Sequence, residues 1–523
     1  MCGIIAFSEN IENIEKYDFS ILSHRGPDDL SINASDNHTI VFSRLSIIDL
    51  STNGNQPFED DEIVVACNGE IYNYQDLKKQ TEYDYKSSSD CEVLLPLYKK
   101  YKTDIAQKLD AEFALVIFDK KQREFFAARD PIGIRPLFYG YRNGKIAFAS
   151  EAKALIGYCD NINPFPPGFY YWKGGFYAYR DPASVHGSNR QHILIGIKNK
   201  LIRAVEKRLT ADADIGFLLS GGLDSSLVCS IATRLLGKPI TTFSTGISTD
   251  PIDTKYARIV SAHIGSIHHE FLFTMEDVLS ALEPIIWSLE TWDVTTIRAS
   301  IGMYLLCKYI KSNTNIKVLM TGEISDELFG YKYTDFAPSP QDFQTEAKKR
   351  ISELYMYDVL RADRCIAANS LEARVPFGDL DFSEFVMSID PILKMKQPNK
   401  MGKFLLRKAF QTDSEEQAWL PDEILWREKA AFSDAVGHSM VDLIKEHAEK
   451  TISDEEMSSA TTNYGYCTPF SKEALLYRKI FDSMFKGHHT LIKDYWMPNK
   501  SWPNCDVNDP SARVLANYGK SGL

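Results

Sequence analysis

Short apolar runs occur throughout the first third of the chain and predict β-strands there. Each run is about four to eight residues long, which is typical of strands rather than helices. The predicted strands are Gly3–Phe7, Thr39–Leu45, Glu62–Cys67, Glu112–Phe118, Glu124–Ala128, Pro136–Tyr141 and Lys145–Ala149. The Asn143-Gly144 pair predicts a hairpin between the last two. Helical spacing is confined to Tyr72–Gln80 and Asp90–Tyr101, so we expect a layered α+β domain.

Beyond about Gln191, predicted strands alternate with predicted helices, which indicates a doubly wound parallel sheet. The strands are Ile215–Leu219, Ile240–Phe243, His268–Phe273 and Asn315–Met320. The helices are Ser225–Leu236, Thr254–His263, Thr274–Trp287 and Arg298–Lys311. Between the two halves, the proline- and glycine-rich segment Asn161–Arg190 predicts an edge hairpin followed by a linker. Residues after about Thr345 are expected to be mostly helical, and the polar stretch from Trp496 onward to be loosely ordered.

Composition narrows the classes of function. A chain of 523 residues is too long to fold around a single hydrophobic core, so we expect more than one domain. Its content of 44% hydrophobic residues is sufficient for packed interiors. The net charge of −12 argues against nucleic acid or an anionic membrane as a general partner. We find no membrane-spanning run and no basic leader, and the nine cysteines form no C-x-x-C pair. We therefore expect a cytoplasmic protein with reduced thiols.

The segment Ser220–Ser226, here called the phosphate loop, lies between a predicted strand and a predicted helix. Backbone N–H groups and the positive end of the helix dipole would point at an anion there. Asp224 would repel a phosphate unless a cation lay between them, so it suggests Mg²⁺. The chain contains no G-x-x-x-x-G-K-[ST] sequence, so this is not a Walker loop.

A second candidate site lies at Cys2. Removal of Met1 would place a free α-amino group on the residue that carries the thiol. Such an amine titrates near about 8 and can accept the thiol proton, directly or through a water molecule. An isolated cysteine at this position would be weak evidence, so the prediction depends on the motifs that follow it.

Five motifs follow in order and resemble the glutaminase domain of class II glutamine amidotransferases. They are Cys2-Gly3-Ile4, His24-Arg25-Gly26-Pro27-Asp28, Arg44-Leu45-Ser46-Ile47-Ile48-Asp49, Asn68-Gly69-Glu70-Ile71-Tyr72-Asn73 and Ser89-Asp90-Cys91-Glu92. The later motifs, together with the first five, resemble the glutamine-dependent asparagine synthetases. These later motifs are the phosphate loop, Glu290–Ser300, Thr321–Glu327 and Glu372–Phe377.

This resemblance implies a fold and domain boundaries. We expect an α+β N-terminal-nucleophile domain with αββα layers at residues 2–185. An α/β parallel-sheet domain of the ATP-pyrophosphatase type with a helical C-terminal part is expected at 190–490, and a tail at 491–523.

The resemblance also implies roles in the first domain. Cys2 would attack the side-chain amide of glutamine, Asn68 and the Gly69 N–H would stabilise the oxyanion, and a thioester and ammonia would form. Arg44 suits the substrate carboxylate, while Glu70 and Asp90 suit its ammonium group. The expected glutamine-binding residues are Arg44, Leu45, Ser46, Ile47, Ile48, Asn68, Gly69, Glu70 and Asp90.

In the second domain, the resemblance implies that ATP converts aspartate to β-aspartyl-AMP, releasing pyrophosphate. The expected ATP-binding residues are Leu219, Ser220, Gly221, Gly222, Leu223, Asp224, Ser225, Thr245, Thr321, Gly322 and Lys429. Thr295, Thr296 and Arg298 would position aspartate, and Glu323 would act at the adenylate, taking a proton from ammonia. Asp224 and Asp326 are the expected Mg²⁺ ligands. The implied partners are aspartate, glutamine and ATP, with a homodimer as one option.

Two departures from the family pattern bear on activity. Ile324 stands where a glycine is usual, and a β-branched residue does not readily take the positive φ that glycine permits. The glycine run is one residue short, at Phe329-Gly330-Tyr331. Three alternatives remain open at this point: β-lactam synthetase chemistry on another acceptor, a non-catalytic regulatory protein, and a plain amidohydrolase.

Overall fold

Two six-stranded antiparallel sheets form the N-terminal part of the protein. The computed structural model describes residues 1–11, 17–249, 252–396, 401–412, 418–428 and 438–517. In chain order the strands of these sheets are β1 Gly3–Phe7, β2 Asp29–Ser35, β3 His38–Arg44, β4 Phe58–Glu59, β5 Ile63–Ile71, β6 Ala111–Asp119, β7 Glu124–Arg129, β8 Phe138–Arg142, β9 Lys145–Ala149, β10 Asn161–Pro164, β11 Phe169–Trp172 and β12 Gly175–Ala178. The first sheet has the order β10-β8-β9-β1-β3-β2 and the second β12-β11-β7-β6-β5-β4.

Alternation along the strands builds the layers of this domain. Ile4 and Ala6 of β1 face Val64 and Ala66 of β5 in a fully buried core between the sheets. The intervening β5 side chains point the other way, onto helix α2, Leu94–Tyr101. The predicted strands and the α+β class are confirmed.

Both hairpin predictions are confirmed. Asn143 and Gly144 have φ values of 52° and 78°, as a two-residue hairpin turn with two left-handed positions requires. β11 pairs with β12, which is the edge strand of the second sheet.

A five-stranded parallel sheet forms the second part of the protein, in the order β15-β14-β13-β16-β17. Its strands are β13 Ile215–Leu218, β14 Thr241–Ile247, β15 Ile267–Phe273, β16 Val318–Met320 and β17 Glu372–Arg374. After β13 the chain builds β14 and β15 on one side and then crosses to β16 on the other. The crevice at the carboxyl end of β13 is therefore a topological switch point, where ligands bind in such sheets.

Helices surround this sheet and follow it in sequence. In chain order the α-helices of the described segments are α1 Tyr74–Lys78, α2, α3 Ile193–Arg208, α4 Leu223–Leu236, α5 Ile252–Ile264, α6 Met275–Leu289, α7 Val294–Asn313, α8 Ser325–Phe329, α9 Pro340–Glu353, α10 Asp358–Ala367, α11 Leu380–Ser388, α12 Pro391–Lys394, α13 Phe404–Phe410, α14 Asp422–Leu425, α15 His438–Thr451, α16 Asp454–Ser458, α17 Ala460–Asn463 and α18 Lys472–Met484. Gly237 ends α4 in the left-handed region, and Thr274 forms a capping box with Asp277 on α6, as predicted. Within these segments, no helix is both long and apolar enough to cross a membrane.

The expectation of a loosely ordered C-terminal stretch is wrong for residues 496–517. Trp502, Cys505 and Leu515 are buried in a small cluster with Tyr333. The stretch has almost no regular secondary structure, so its polar, aperiodic sequence gave no sign of this packing.

Buried ion pairs join the two parts. Arg25, which is fully buried, reaches Glu151 at 2.8 Å and Asp363 of α10 at 2.9 Å. Arg364 of α10 contacts Glu151 at 2.8 Å. Charges removed from water persist when paired and hydrogen-bonded, so this contact fixes one part against the other.

Candidate active sites

The first candidate site lies around Cys2, at the start of β1. The Cys2 N–H donates to Asn68 Oδ1 at 3.0 Å, and the Leu45 N–H approaches Cys2 Sγ at 3.4 Å. Asn68 is buried on β5, and among the described residues its Nδ2 has no hydrogen-bond partner. A buried, unpaired donor beside a thiol suits an oxyanion that forms during reaction.

Gly69, the other expected oxyanion donor, lies where strands pack closely. A Cβ added there would lie 2.3 Å from the Glu112 carbonyl oxygen of β6. A larger residue would therefore displace Asn68 as well as the Gly69 N–H.

Met1 is fully buried beside this site in the structure. Its amino group donates to the Leu371 carbonyl at 3.2 Å, and burial lowers the pKa of that amino group to about 5. Burial also raises the pKa of the Cys2 thiol to about 11. With Met1 in place, therefore, the thiol is protonated at neutral pH and lacks an α-amino group of its own.

The other expected glutamine-binding residues are only partly brought to Cys2. Arg44 donates to the Ser51 carbonyl at 2.7 Å and to Asn55 Oδ1 at 2.5 Å, so its guanidinium is engaged by its own loop. Glu70 pairs with Arg374 of β17 at 3.1 Å, and Asp90 accepts from the Ile71 N–H at 2.7 Å.

The segment from Leu45 to Ile48 lies between the two parts of the molecule. Ser46 N–H donates to Asp28 at 2.8 Å, and the Ile47 carbonyl accepts from Asp212 and Ala213. Leu45 and Ile47 are buried against Val318 of β16, with Ile48 packed beside them. This segment therefore contacts the parallel sheet as well as the thiol.

The second candidate site is a cavity at the switch point of the parallel sheet, here called the switch-point cavity. Its lining includes most of the residues that the sequence predicts for nucleotide and aspartate: Leu219, Ser220, Gly222, Leu223, Asp224, Ser225, Thr245, Thr295, Arg298, Thr321, Gly322, Glu323 and Asp326. These residues come from β14, from the segments that follow β13 and β16, including the first turns of α4 and α8, and from the start of α7. A single cavity thus joins motifs that are about 100 residues apart.

Two glycines let the phosphate loop pack closely against its neighbours. Gly221 has a φ of 72°, and a Cβ there would lie 2.5 Å from the Ala257 backbone nitrogen. A Cβ on Gly322 would lie 2.7 Å from the Ser225 backbone nitrogen. The phosphate loop is therefore packed tightly between α5 and the loop that follows β16.

Ile324 adopts the conformation that its side chain disfavours. Its φ is 80°, and it precedes α8 as the N-cap residue. The side chain is 2% exposed and belongs to a buried cluster with Ile134 of the N-terminal part. This packing holds a backbone geometry that costs of order 1–3 kcal/mol for a non-glycine residue.

The two expected magnesium ligands, Asp224 and Asp326, lie close enough to contact the same lysine ammonium group. Lys403 Nζ contacts Asp224 Oδ2 at 2.8 Å and Asp326 Oδ1 at 2.5 Å. The described residues contain no group of three or more acidic, histidine or cysteine side chains arranged for a metal. The two carboxylates of Asp224 and Asp326 suit Mg²⁺, because this ion commonly takes one or two protein carboxylates and completes its shell with substrate phosphates and water.

The three expected aspartate-binding residues differ in what they contact. Thr295 lines the cavity, and its buried hydroxyl has no partner in the part of the chain that the structure describes. Thr296 instead turns away and donates to Asp293, the cap of α7, at 2.7 Å. Arg298 is paired with Glu473 and Asp509 and donates to Ser511 Oγ at 2.7 Å.

Comparison with known proteins follows the same division. The glutamine amidotransferase domain family matches residues 1–165, and the asparagine synthase family matches residues 196–348 and 336–513. The chain belongs to the asparagine synthase family.

Curated relatives match over nearly their whole lengths. A probable glutamine-hydrolysing asparagine synthetase of Dictyostelium discoideum is 39% identical over 98% of each chain. Glutamine-hydrolysing asparagine synthetase 1 of Saccharomyces cerevisiae is 40% identical over 99% of this chain and 100% of its own. The enzyme of Zea mays is 38% identical over 99% of this chain and 94% of its own.

Several further residues line the switch-point cavity although the sequence did not predict them as site residues. Lys403, Arg407, Arg427, Tyr331, Trp496 and Ser511 also line the switch-point cavity. None belongs to a motif with a recognisable phosphate-binding pattern, and only the fold brings them together. Lys429, the expected phosphate-binding cation, lies outside the described residues.

Proposed function

We propose that this protein makes L-asparagine from L-aspartate, with ATP as the energy source and glutamine as the nitrogen donor. The observation that carries the proposal is that one chain combines a Cys2 thiol beside a buried, unpaired amide donor with a separate cavity that joins the phosphate loop to Thr295 and Arg298. Membership of the asparagine synthase family supports the same assignment.

In the glutaminase half, Cys2 freed of Met1 attacks the side-chain amide carbon of glutamine. Asn68 Nδ2 and the Gly69 N–H donate to the oxyanion, a contribution of roughly 3 kcal/mol per donor. The α-amino group of Cys2 takes the thiol proton and passes it to the departing nitrogen, so the C–N bond breaks, ammonia leaves and a Cys2 thioester remains. Water then hydrolyses the thioester to glutamate and the free thiol. Arg44, Glu70 and Asp90 bind the two ends of glutamine, which requires Arg44 to leave its present carbonyl partners.

In the synthetase half, the side-chain carboxylate of aspartate attacks the α-phosphate of ATP, which forms β-aspartyl-AMP and releases pyrophosphate. The phosphate loop holds the departing phosphates, and Thr295 and Arg298, which line the same cavity, position aspartate. A part for Thr296 in this step requires its hydroxyl to leave Asp293. Ammonia then displaces AMP from β-aspartyl-AMP, and Glu323 accepts its proton. Glu323 now pairs with Arg361 at 2.5 Å, which keeps a carboxylate at the cavity wall.

Further parts of the proposal concern the surroundings of this chemistry. We assign Mg²⁺ to Asp224 and Asp326, where it would neutralise phosphate charge. We divide the chain at residues 2–185, 190–490 and 491–523, and we assign the protein to the cytoplasm, with homodimerisation as one option. The family matches, at residues 1–165 and 196–513, support a break between residues 165 and 196.

The test is to supply purified protein with aspartate, ATP, Mg²⁺ and glutamine and to measure asparagine, AMP, pyrophosphate and glutamate together. All four products are expected in matching amounts. Aspartate-dependent exchange of labelled pyrophosphate into ATP isolates the first step. Glutamate formation without AMP would leave a plain amidohydrolase, and absence of both reactions would leave a non-catalytic protein.

A further inference from the structure

Lys403 lies inside the switch-point cavity, bound to the two carboxylates that the proposed function assigns to the metal. Its side chain is 3% exposed. The ammonium group donates to Asp224 Oδ2 at 2.8 Å and to Ser325 Oγ at 3.0 Å, and it contacts Asp326 Oδ1 at 2.5 Å. One lysine at the start of α13 thus connects the first turn of α4 to the first turn of α8.

The backbone around Lys403 holds this ammonium in place. Lys403 has a φ of 57° and is the N-cap residue of α13. Arg407, one turn later, donates from its N–H to the Lys403 carbonyl at 3.1 Å and from Nε to the Gly402 carbonyl at 2.8 Å. Leu406 and Phe410 anchor the helix in the buried core. These contacts hold Lys403 in a left-handed backbone conformation that costs free energy for a non-glycine residue, and such residues cluster at functional sites.

Lys403 cannot keep both carboxylates when a metal arrives. A divalent cation bound to Asp224 and Asp326 would lie against the ammonium, and two positive charges at such a distance repel strongly in a partly enclosed site. The lysine must then find another anion. The phosphate loop lines the same cavity beside Asp224, so the phosphates of a nucleotide bound there would offer the ammonium a new anionic partner within that cavity.

We propose that Lys403 is a nucleotide-binding residue that exchanges partners: it holds the Asp224 and Asp326 carboxylates in the free protein and contacts a phosphate of ATP once metal and nucleotide bind. The idea rests on the proposed ATP chemistry, and it goes beyond it by assigning the ammonium two successive anions. In the free protein the lysine neutralises two carboxylates that would otherwise repel each other. In the complex it adds a charge-assisted hydrogen bond to the nucleotide.

Partner exchange predicts two opposite effects of removing the charge. Lys403→Met keeps the apolar stem but loses the ammonium. Without the competing cation, Mn²⁺ alone is expected to bind roughly 10-fold more tightly. Without the phosphate contact, a non-hydrolysable ATP analogue with Mg²⁺ is expected to bind roughly 10- to 100-fold more weakly, as for a hydrogen bond to a charged group.

The measurements are Mn²⁺ binding by electron paramagnetic resonance and analogue binding by calorimetry. Lys408→Met is the matched control, because Lys408 lies on the same helix, is exposed and contacts Gln411. It is expected to leave both affinities unchanged. Lys403→Arg keeps the charge and is expected to keep the weak Mn²⁺ binding of the original protein.

Any other pattern overturns the exchange. A lysine that only fastens the loops would, when removed, weaken Mn²⁺ and nucleotide together, and a bystander would change neither. If Lys403→Met does not fold, Lys403→Gln carries the same pair of predictions. Failure of the unmodified protein to bind the analogue would overturn both the proposed ATP chemistry and the phosphate contact, whereas unchanged Mn²⁺ affinity in the variant would overturn only the exchange.

Discussion

The environment of Cys2 sets a condition on the glutaminase chemistry. A thiol attacks as the thiolate, and burial beside Met1 keeps the pKa of the Cys2 thiol near 11. The α-amino group is carried by Met1 rather than by Cys2. Its pKa is lowered to about 5, so this amine is uncharged at neutral pH. Processing of Met1 would therefore create the nucleophile rather than merely expose it.

We expect protein that retains Met1 to react with iodoacetamide slowly at Cys2. Because the thiol pKa is raised, the thiolate fraction at pH 8 is on the order of a thousandth and increases tenfold per pH unit up to about 11. Removal of Met1 is expected to increase the alkylation rate at pH 8 at least tenfold. Mass spectrometry of the N-terminal peptide across pH 7–11 measures both rates, and equal rates would contradict the assigned role of Met1.

Replacement of the nucleophile separates the two sites. In Cys2→Ala we expect glutamine-dependent asparagine synthesis to disappear, because no thioester can form. Synthesis from added ammonium is expected to continue within about twofold, since the switch-point cavity contains no atom of Cys2. Loss of ammonium-driven synthesis in a variant with unchanged thermal unfolding would show that the sites are not separable.

At the scale of elements, the turn between β16 and α8 stores strain. Ile324 has positive φ, and its side chain lies in a buried cluster that also contains Ile134 from the other part of the chain. The same residue thus costs free energy through its backbone and recovers some through burial. Glu323, next to it, is aimed into the switch-point cavity by this turn.

Two truncations at this position distinguish strain from packing. Ile324→Ala loses the buried side chain and keeps a Cβ at positive φ, whereas Ile324→Gly loses the side chain and relaxes the backbone. We expect Ile324→Gly to have the larger free energy of unfolding, by about 1 kcal/mol. At Leu227, in the middle of α4, the order should reverse by about 1 kcal/mol. Urea denaturation of the four variants tests this, and alanine being preferred at both positions would contradict it.

Elements show how far sequence reasoning reaches. The apolar run predicted the strand Gly3–Phe7 to the residue, because both faces of that strand are buried and the pattern is local. The same approach missed β17, because its two charged residues are buried with partners that lie far away in the sequence, Glu372 with Arg135 and Arg374 with Glu70. Lys403 escaped for the same reason: nothing near it in sequence marks a contact with Asp224, which lies far earlier in the chain. Motifs located the loops, but long-range packing chose their partners.

On the scale of the whole molecule, the two parts are joined by buried ion pairs. Arg25 donates to the Cys2 carbonyl at 2.8 Å as well as to Glu151 and Asp363. The same side chain therefore contacts Cys2, the proposed nucleophile, and helix α10 of the other part of the molecule. This arrangement ties the geometry of the thiol to the position of α10.

Removal of Arg25 should cost far more than removal of an exposed partner. Arg25→Met leaves Glu151 and Asp363 with one fewer cation in a buried site, and we expect the free energy of unfolding to fall by about 3–5 kcal/mol. Arg190→Met is the control, because Arg190 is 66% exposed where it pairs with Asp390. Its cost is expected below about 1 kcal/mol. Guanidinium denaturation compares the two, and similar small costs would show that the buried network contributes little.

Arg298, which we propose to position aspartate, contacts Asp509 and Ser511 near the far end of the chain. Shortening the protein ahead of residue 509, or attaching a bulky fusion that displaces this stretch, removes two partners of that arginine without changing the arginine itself. Such a protein would bind its amino-acid substrate differently while its glutaminase remained intact. Kinetic constants measured on such a protein would then reflect the loss of this contact rather than the behaviour of the intact chain.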